Sequence, residues 1–200
     1  MTIEQFDRHP FYLFCRNTAR ILFYLLFRIR IVGLENIPKS GPVVISCNHI
    51  HNFDPPLVGV FVPRFVHFMA KSELFRWRWS AWVMKRLGAF PVKRGGQDMG
   101  AMKHSIAIPN SGGCIVVFPE GHRSKDGKLG TAMTGVAFIA RKANCPIVPI
   151  AIIGPYKLFR PLTIRVGEPF LPFVSDDNDS LLERLMLNIQ ILLHKGHDAG

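Results

Sequence analysis

The sequence predicts an α/β fold: a single three-layer domain with a mixed, largely parallel sheet flanked by helices, plus an N-terminal amphipathic helical segment. Three observations lead there. Strand-like and helix-like segments alternate along the 200-residue chain, which is the signature of βα units. The strand-like segments VVISC, CIVVF and CPIVPIAIIG are unbroken apolar runs. They lack the period-two alternation of a half-exposed strand, so both faces must be covered. Hydrophobic residues make up 48% of the chain, enough to bury a core without staples and too many for a disordered segment.

Residues 10–32 read PFYLFCRNTARILFYLLFRIRIV. At 100° per residue, Arg16, Arg20, Arg28 and Arg30 share an arc of about 160°. Phe11, Phe14, Leu22, Leu25, Leu26 and Ile29 lie opposite, although Leu13, Phe23 and Phe27 intrude on the basic arc. The longest apolar run, Ile21 to Phe27, is far too short to span a bilayer. The segment therefore reads as a helix lying in a membrane interface, or as one packed on the protein's own core. Gly33 marks its end. Residues 1–32 form the first unit and 33–200 the second.

The second unit opens with a loop and the buried strand VVISC. Asp54 followed by Pro55 reads as a helix N-cap with proline at the first helical position. Arg64–Met69 reads as a strand, 72–87 as helix, AFPVK as a short strand and Gln97–Asn110 as helix. CIVVFPEG is a strand running into a loop, Thr131–Ala143 a small-residue helix, and CPIVPIAIIG a buried strand. LTIRVGEPF reads as an edge strand and Ser180–His194 as the closing amphipathic helix.

Charge narrows the partners. The formal net charge is +11, so the protein meets something acidic. The Lys and Arg residues are scattered among aromatics and aliphatics rather than grouped in blocks, which favours an anionic bilayer surface over nucleic acid. Phe75-Arg-Trp-Arg-Trp-Ser-Ala-Trp82 is a second segment suited to the headgroup zone. The four cysteines, at 15, 47, 114 and 145, form no CxxC pair. That argues against a zinc ribbon and a disulfide framework. With no signal peptide in view, the expected location is the cytoplasmic face of a membrane, peripheral or monotopic.

The chemistry concentrates in VVISCNHIHNFDPPLVG, where Asn48, His49, His51, Asn52 and Asp54 fall within seven positions. His49-x-His51 at a strand end is a metal-ligand spacing, but the remaining histidines form no second cluster. An alternative is a dyad, with Asp54 fixing the tautomer of His49 so that the free ring nitrogen acts as a base. Asp54 as a mere helix cap is the third. Other strand ends add context: Lys93-Arg94-Gly95-Gly96 follows one, Glu120-Gly121-His122-Arg123 another. Open α/β sheets gather ligands beyond the carboxyl ends of their strands. Arginine beside glycine suits a phosphate.

Asn48-His49-x4-Asp54, Gly88-Ala-Phe-Pro-Val-Lys-Arg94, Phe118-Pro-Glu-Gly-His-Arg-Ser124 and Cys145-Pro-Ile-Val-Pro149 resemble, in order, the four sequence blocks of the glycerolipid acyltransferases. Within them the chain is most similar to the 1-acyl-sn-glycerol-3-phosphate acyltransferases, over about residues 33–170. His122 departs from the threonine common in the third block, and Trp77-Arg78-Trp79 lies where the blocks give no guide. The resemblance implies that 33–200 is an acyltransferase domain moving an acyl chain to the sn-2 hydroxyl of lysophosphatidic acid. The donor would be acyl-CoA or acyl carrier protein. It implies His49 as base and Asp54 as its orienting partner. Arg94 would hold the acceptor phosphate, Glu120 and Gly121 would shape the acceptor site, Arg123 would reach the phosphate, and Pro149 would close an apolar wall. No cofactor or metal and no acyl-enzyme is implied, in line with the lack of a GxSxG motif. The alternatives are another lysolipid acceptor, or a metal-dependent hydrolase using His49 and His51.

Overall fold

Seven strands among the described residues share one sheet. The computed structural model describes residues 9–93, 98–124 and 126–194. In chain order its elements are α1 (Pro10–Leu26), β1 (Arg28–Val32), β2 (Val43–Cys47), α2 (Asp54–Phe61), β3 (His67–Lys71), α3 (Arg78–Arg86) and β4 (Ala89–Val92). They continue with α4 (Met99–Asn110), β5 (Cys114–Val117), α5 (Gly135–Ala143), β6 (Ile147–Ile153), β7 (Pro161–Val166) and α6 (Asn178–His194). Their order in the sheet is β1-β7-β6-β2-β5-β3-β4, and among the pairings of these strands β6–β7 alone is antiparallel.

The apolar runs are buried on both faces, as their composition requires. Val43, Ile45 and Cys47 of β2 pack with Leu57 and Val58 of α2 and Phe23 of α1 on one side of the sheet. Val44 of β2 and Ile115 of β5 pack with Ile108 of α4, Val136 and Ala140 of α5, and Leu181 and Leu185 of α6 on the other. Each fully buried Ile, Leu or Val contributes about 1.5–3 kcal/mol, so this double-sided layer dominates the stability. β2 sits at the centre, between β6 and β5. The chain leaves β2 toward β3 on one side and later passes from β5 to β6 on the other. From β6 it turns away to β7, so β6 and β2 send the chain in opposite directions, and the boundary between them is the switch point, beyond whose strand ends α/β sheets gather their ligands.

Three expectations change. The N-terminal helix stops at Leu26, and residues 28–32 form an edge strand pairing with β7. RIRIV alternates charge with β-branched residues, and this period of two fits a strand whose exposure also alternates. The helical phase of Arg28 and Arg30 was a coincidence of spacing. The sheet thus begins before residue 33. Gly33 ends a strand, not a helix: its φ is +77° and an added Cβ would lie 2.2 Å from the Val166 carbonyl oxygen. Secondly, β7 is interior, because β1 covers it. Thirdly, the cap of α2 is Phe53, with Asp54 as the first helical residue.

The arginines of α1 face the protein. Arg16 donates to the carbonyls of Val60 and Val62, and Arg20 to that of Val60 at 2.7 Å. These are the last carbonyls of α2, where the helix leaves acceptors unpaired and the dipole favours a cation. The outward face of α1 is apolar instead: Phe14 is 69% exposed, Ile21 60% and Leu25 63%.

Candidate active site

Residues 48–53 join β2 to α2 at the switch point. The turn brings His49 and Asp54 together although they are five residues apart: His49 Nδ1 lies 2.7 Å from Asp54 Oδ2. The same oxygen accepts the backbone N–H groups of Ile50 and His51, each at 2.7 Å. Asp54 Oδ1 accepts the phenol of Tyr156 at 2.6 Å. Asp54 is fully buried. A carboxylate that accepts at both oxygens leaves His49 Nδ1 as the donor. The lone pair then lies on His49 Nε2, which makes no hydrogen bond among the described residues. His49 is 9% exposed, so the ring is seated in the wall with one edge accessible.

Every neighbour of His49 is fixed. Its ring stacks on Phe118, at the end of β5, with centroids 4.3 Å apart. Its amide donates to Glu120 Oε1 at 2.9 Å, and its carbonyl accepts from the Ser124 amide at 2.7 Å. Asn48 continues the β2–β6 ladder with its side chain, accepting from the Ile152 amide and donating to the Ile152 carbonyl. The ends of three adjacent strands, β6, β2 and β5, thus brace the segment that carries His49.

The sequence-derived residues divide. His49 and Asp54 meet as a hydrogen-bonded pair. Glu120 is 2% exposed, and its second oxygen accepts the Gly130 amide at 2.9 Å. Both of its oxygens are therefore committed to backbone, and it shapes the site by bracing the His49 turn against the 121–130 loop. Gly121 has φ +68°, and an added Cβ would stand 2.5 Å from Met133 Sδ. Only glycine fits that turn. Arg123 is exposed and has no hydrogen bond or ion pair among the described residues. Arg94 lies outside the described residues. Asp98 caps α4 and accepts the Lys93 amide at 3.0 Å. The backbone N–H groups of Lys93 and Ala101 hold the Asp98 carboxyl below the usual aspartate range. Pro149 is buried in β6, its Cγ 2.9 Å from where a Cβ on Gly167 would stand.

The two histidines of the H-x-H spacing make different commitments. His51 Nδ1 accepts the Phe53 amide, and its ring stacks on Tyr156 at 4.3 Å. No group of three or more His, Cys, Asp or Glu among the described residues is placed to hold a metal ion. Cys47 lies beneath the pair. Burial, then the charges of Asp54 and Glu120, push its thiol well up, so it stays neutral.

Comparison with known proteins is decisive for the family. A family model described as Acyltransferase matches residues 28–153. The 1-acyl-sn-glycerol-3-phosphate acyltransferase of Bacillus subtilis (strain 168) is 33% identical over 165 residues, covering 79% of this chain and 81% of that protein. The chain belongs to the 1-acyl-sn-glycerol-3-phosphate acyltransferase family. A chloroplastic member from Brassica napus is 30% identical over 79% of this chain, which spans 46% of that longer protein. The crystal structure of PlsC, a 1-acyl-sn-glycerophosphate acyltransferase from Thermotoga maritima, shares the fold with a TM-score of 0.78 at 23% identity, over 94% of this chain and 81% of that one. The family match starts at the first residue of β1 and ends at the last of β6.

Bracing by Glu120 is open to a direct test. Both of its oxygens accept, so Glu120→Gln sets an amide N–H₂ against a backbone N–H. The expected loss is about 1–3 kcal/mol of stability, read by urea denaturation, with a fall in turnover. A variant of unchanged stability but raised acceptor KM would mean that Glu120 touches substrate instead.

Proposed function

We propose that this protein transfers a fatty acyl chain from a thioester donor to the sn-2 hydroxyl of lysophosphatidic acid, giving phosphatidic acid for phospholipid biosynthesis. The observation that carries the reading is the His49–Asp54 pair. It is held at 2.7 Å with Nε2 unoccupied, at the switch point of an acyltransferase-family fold. His49 Nε2 takes the proton of the acceptor hydroxyl as its oxygen attacks the thioester carbonyl. Asp54 stabilises the resulting imidazolium and keeps Nε2 aimed outward. The tetrahedral intermediate collapses, the carbon–sulfur bond breaks, and the thiolate leaves with a proton returned from His49. General-base assistance of this kind is worth about 10²–10⁴-fold.

Arg94 is assigned the acceptor phosphate. It follows β4, whose carboxyl end points to the same edge of the sheet as those of β2 and β5. Arg123, exposed on the 121–130 loop, is a second phosphate contact. The donor is acyl-CoA or acyl carrier protein, both acidic and both suited to a chain of net charge +11.

The reading requires a lipid surface, and one is available. No helix among the described residues is long and apolar enough to cross a membrane. The apolar face of α1 is exposed, and Phe11 packs against Trp82 of α3 with centroids 4.8 Å apart. Trp77 and Trp79 stand 61% and 70% exposed beside it. At the other end of α1, Leu158 and Phe159 are exposed between Lys157 and Arg160. We assign this strip to a bilayer: aliphatics enter the acyl boundary, while tryptophan and the flanking Arg76, Arg78, Lys157 and Arg160 sit at headgroup level. Arg16 and Arg20 have no part in it, since they clamp α2. The four cysteines, scattered along the chain without a CxxC pair, suit the cytoplasmic face.

Labelled acyl-CoA and lysophosphatidic acid in vesicles test the reaction. The wild type is expected to make phosphatidic acid and His49→Ala to make less than a hundredth as much, with Arg94→Ala raising the acceptor KM. Equal product from wild type and His49→Ala would remove the base. Exchanging the donor for acyl carrier protein, and the acceptor for other lysolipids, assigns both. For the surface, Leu22→Asp with Leu25→Asp is expected to move the protein from floating anionic vesicles to the soluble fraction. Unchanged flotation would overturn the assignment to α1.

A further inference from the structure

We infer that Tyr156 is a positioning residue of the catalytic pair: its phenol O–H locks the Asp54 carboxylate in the one orientation that serves His49. The inference deepens the proposed acyl transfer and rests on it for its kinetics. Three donors, from His49, Ile50 and His51, crowd onto Asp54 Oδ2. Among the described residues Oδ1 has a single donor, the Tyr156 hydroxyl at 2.6 Å. Asp54 is fully buried, so without that hydroxyl Oδ1 would carry charge with no partner. A carboxylate in that state gains by turning about its Cβ–Cγ bond to share donors between its oxygens. Any such turn pulls Oδ2 out of line with His49 Nδ1 and tilts Nε2 away from the hydroxyl it must deprotonate.

The tyrosine is built to hold still. Its ring stacks on His51 with centroids 4.3 Å apart, and Phe27 meets it edge-on at 5.7 Å. The chain behind it is tied to the α1–β1 junction: the Phe159 amide donates to the Leu26 carbonyl at 2.7 Å, and the Arg28 amide to that of Arg160 at 3.0 Å. Phe159 takes up φ +60° there, a conformation that a bulky residue adopts only when its surroundings impose it. The phenol cannot serve as acid or nucleophile. Burial first, and then the Asp54 charge, push its ionisation far above the ordinary tyrosine range. It remains a donor at every working pH. Tyr156 also stands three residues past the end of the family match at Ile153.

The test uses the full chain on vesicles, wild type against Tyr156→Phe, which keeps the ring and removes only the hydroxyl. Kinetics are expected to show kcat lowered about ten-fold, the effect of one charge-assisted hydrogen bond, with both KM values within two-fold. A second readout needs no turnover: the downfield proton resonance of His49 Nδ1–H, assigned by its loss in His49→Ala. It is expected to shift or broaden in Tyr156→Phe while the melting temperature stays within a few degrees. Unchanged kcat with an unmoved resonance would overturn the role, as would a raised acceptor KM with kcat intact, which would make Tyr156 a substrate contact. If the wild type transfers no acyl group, the acyl-transfer reading falls, and the resonance alone decides whether Tyr156 fixes the pair.

Discussion

The fully buried carboxylate of Asp54 is the constraint on which the site depends. A lone charge in that position would cost several kcal/mol. It is tolerated because four donors meet it: one imidazole, two amides of its own turn and one phenol. Those donors come from the β2–α2 turn and from the loop after β6. Satisfying the carboxylate therefore fixes the path of both segments. His49 is one of the four, so its orientation follows from the same requirement. The charge that holds the turn together is also the charge that orients Nε2.

The second layer of support reaches from β5. Glu120 joins the His49 amide to the 121–130 loop, and Phe118 lies flat on the imidazole. For the base proposed at His49, this support removes reorientation when substrate arrives, which is where preorganised catalysis gains. The outer surface has a different logic. α1 turns its arginines inward to finish α2 and leaves its aliphatics outside. Phe27, the residue that ends α1, touches Tyr156. The surface assigned to lipid and the His49–Asp54 pair are thus joined through packed side chains.

Much of this was legible in the sequence, for stateable reasons. Apolar runs without alternation required strands covered on both faces, and the fold has them. Asn48-His49-x4-Asp54 announced the pair because the chemistry needs those residue types. What failed did so where two periodicities agree over a short stretch. RIRIV fits a helix phase and a strand phase equally, and only the pairing with β7 decides. The inward turn of Arg16 and Arg20 was hidden because amphipathicity separates two faces without saying which one meets the protein. Tyr156 gave no signal. It lies in a loop 102 residues from Asp54, and its role depends on β6 lying beside β2, which no local pattern encodes.

The account makes the negative charge on Asp54, beyond its shape, the origin of turnover. Asp54→Asn isolates that charge. The amide oxygen can replace Oδ2 toward its three donors, while the amide N–H₂ donates to a Tyr156 hydroxyl that rotates to accept. The variant should fold and melt close to the wild type and keep its KM values. Its kcat for acyl transfer to vesicle-borne lysophosphatidic acid should fall by about 10²–10⁴-fold. A folded Asp54→Asn protein with near-wild-type kcat would reduce Asp54 to a structural staple of the turn and contradict the account.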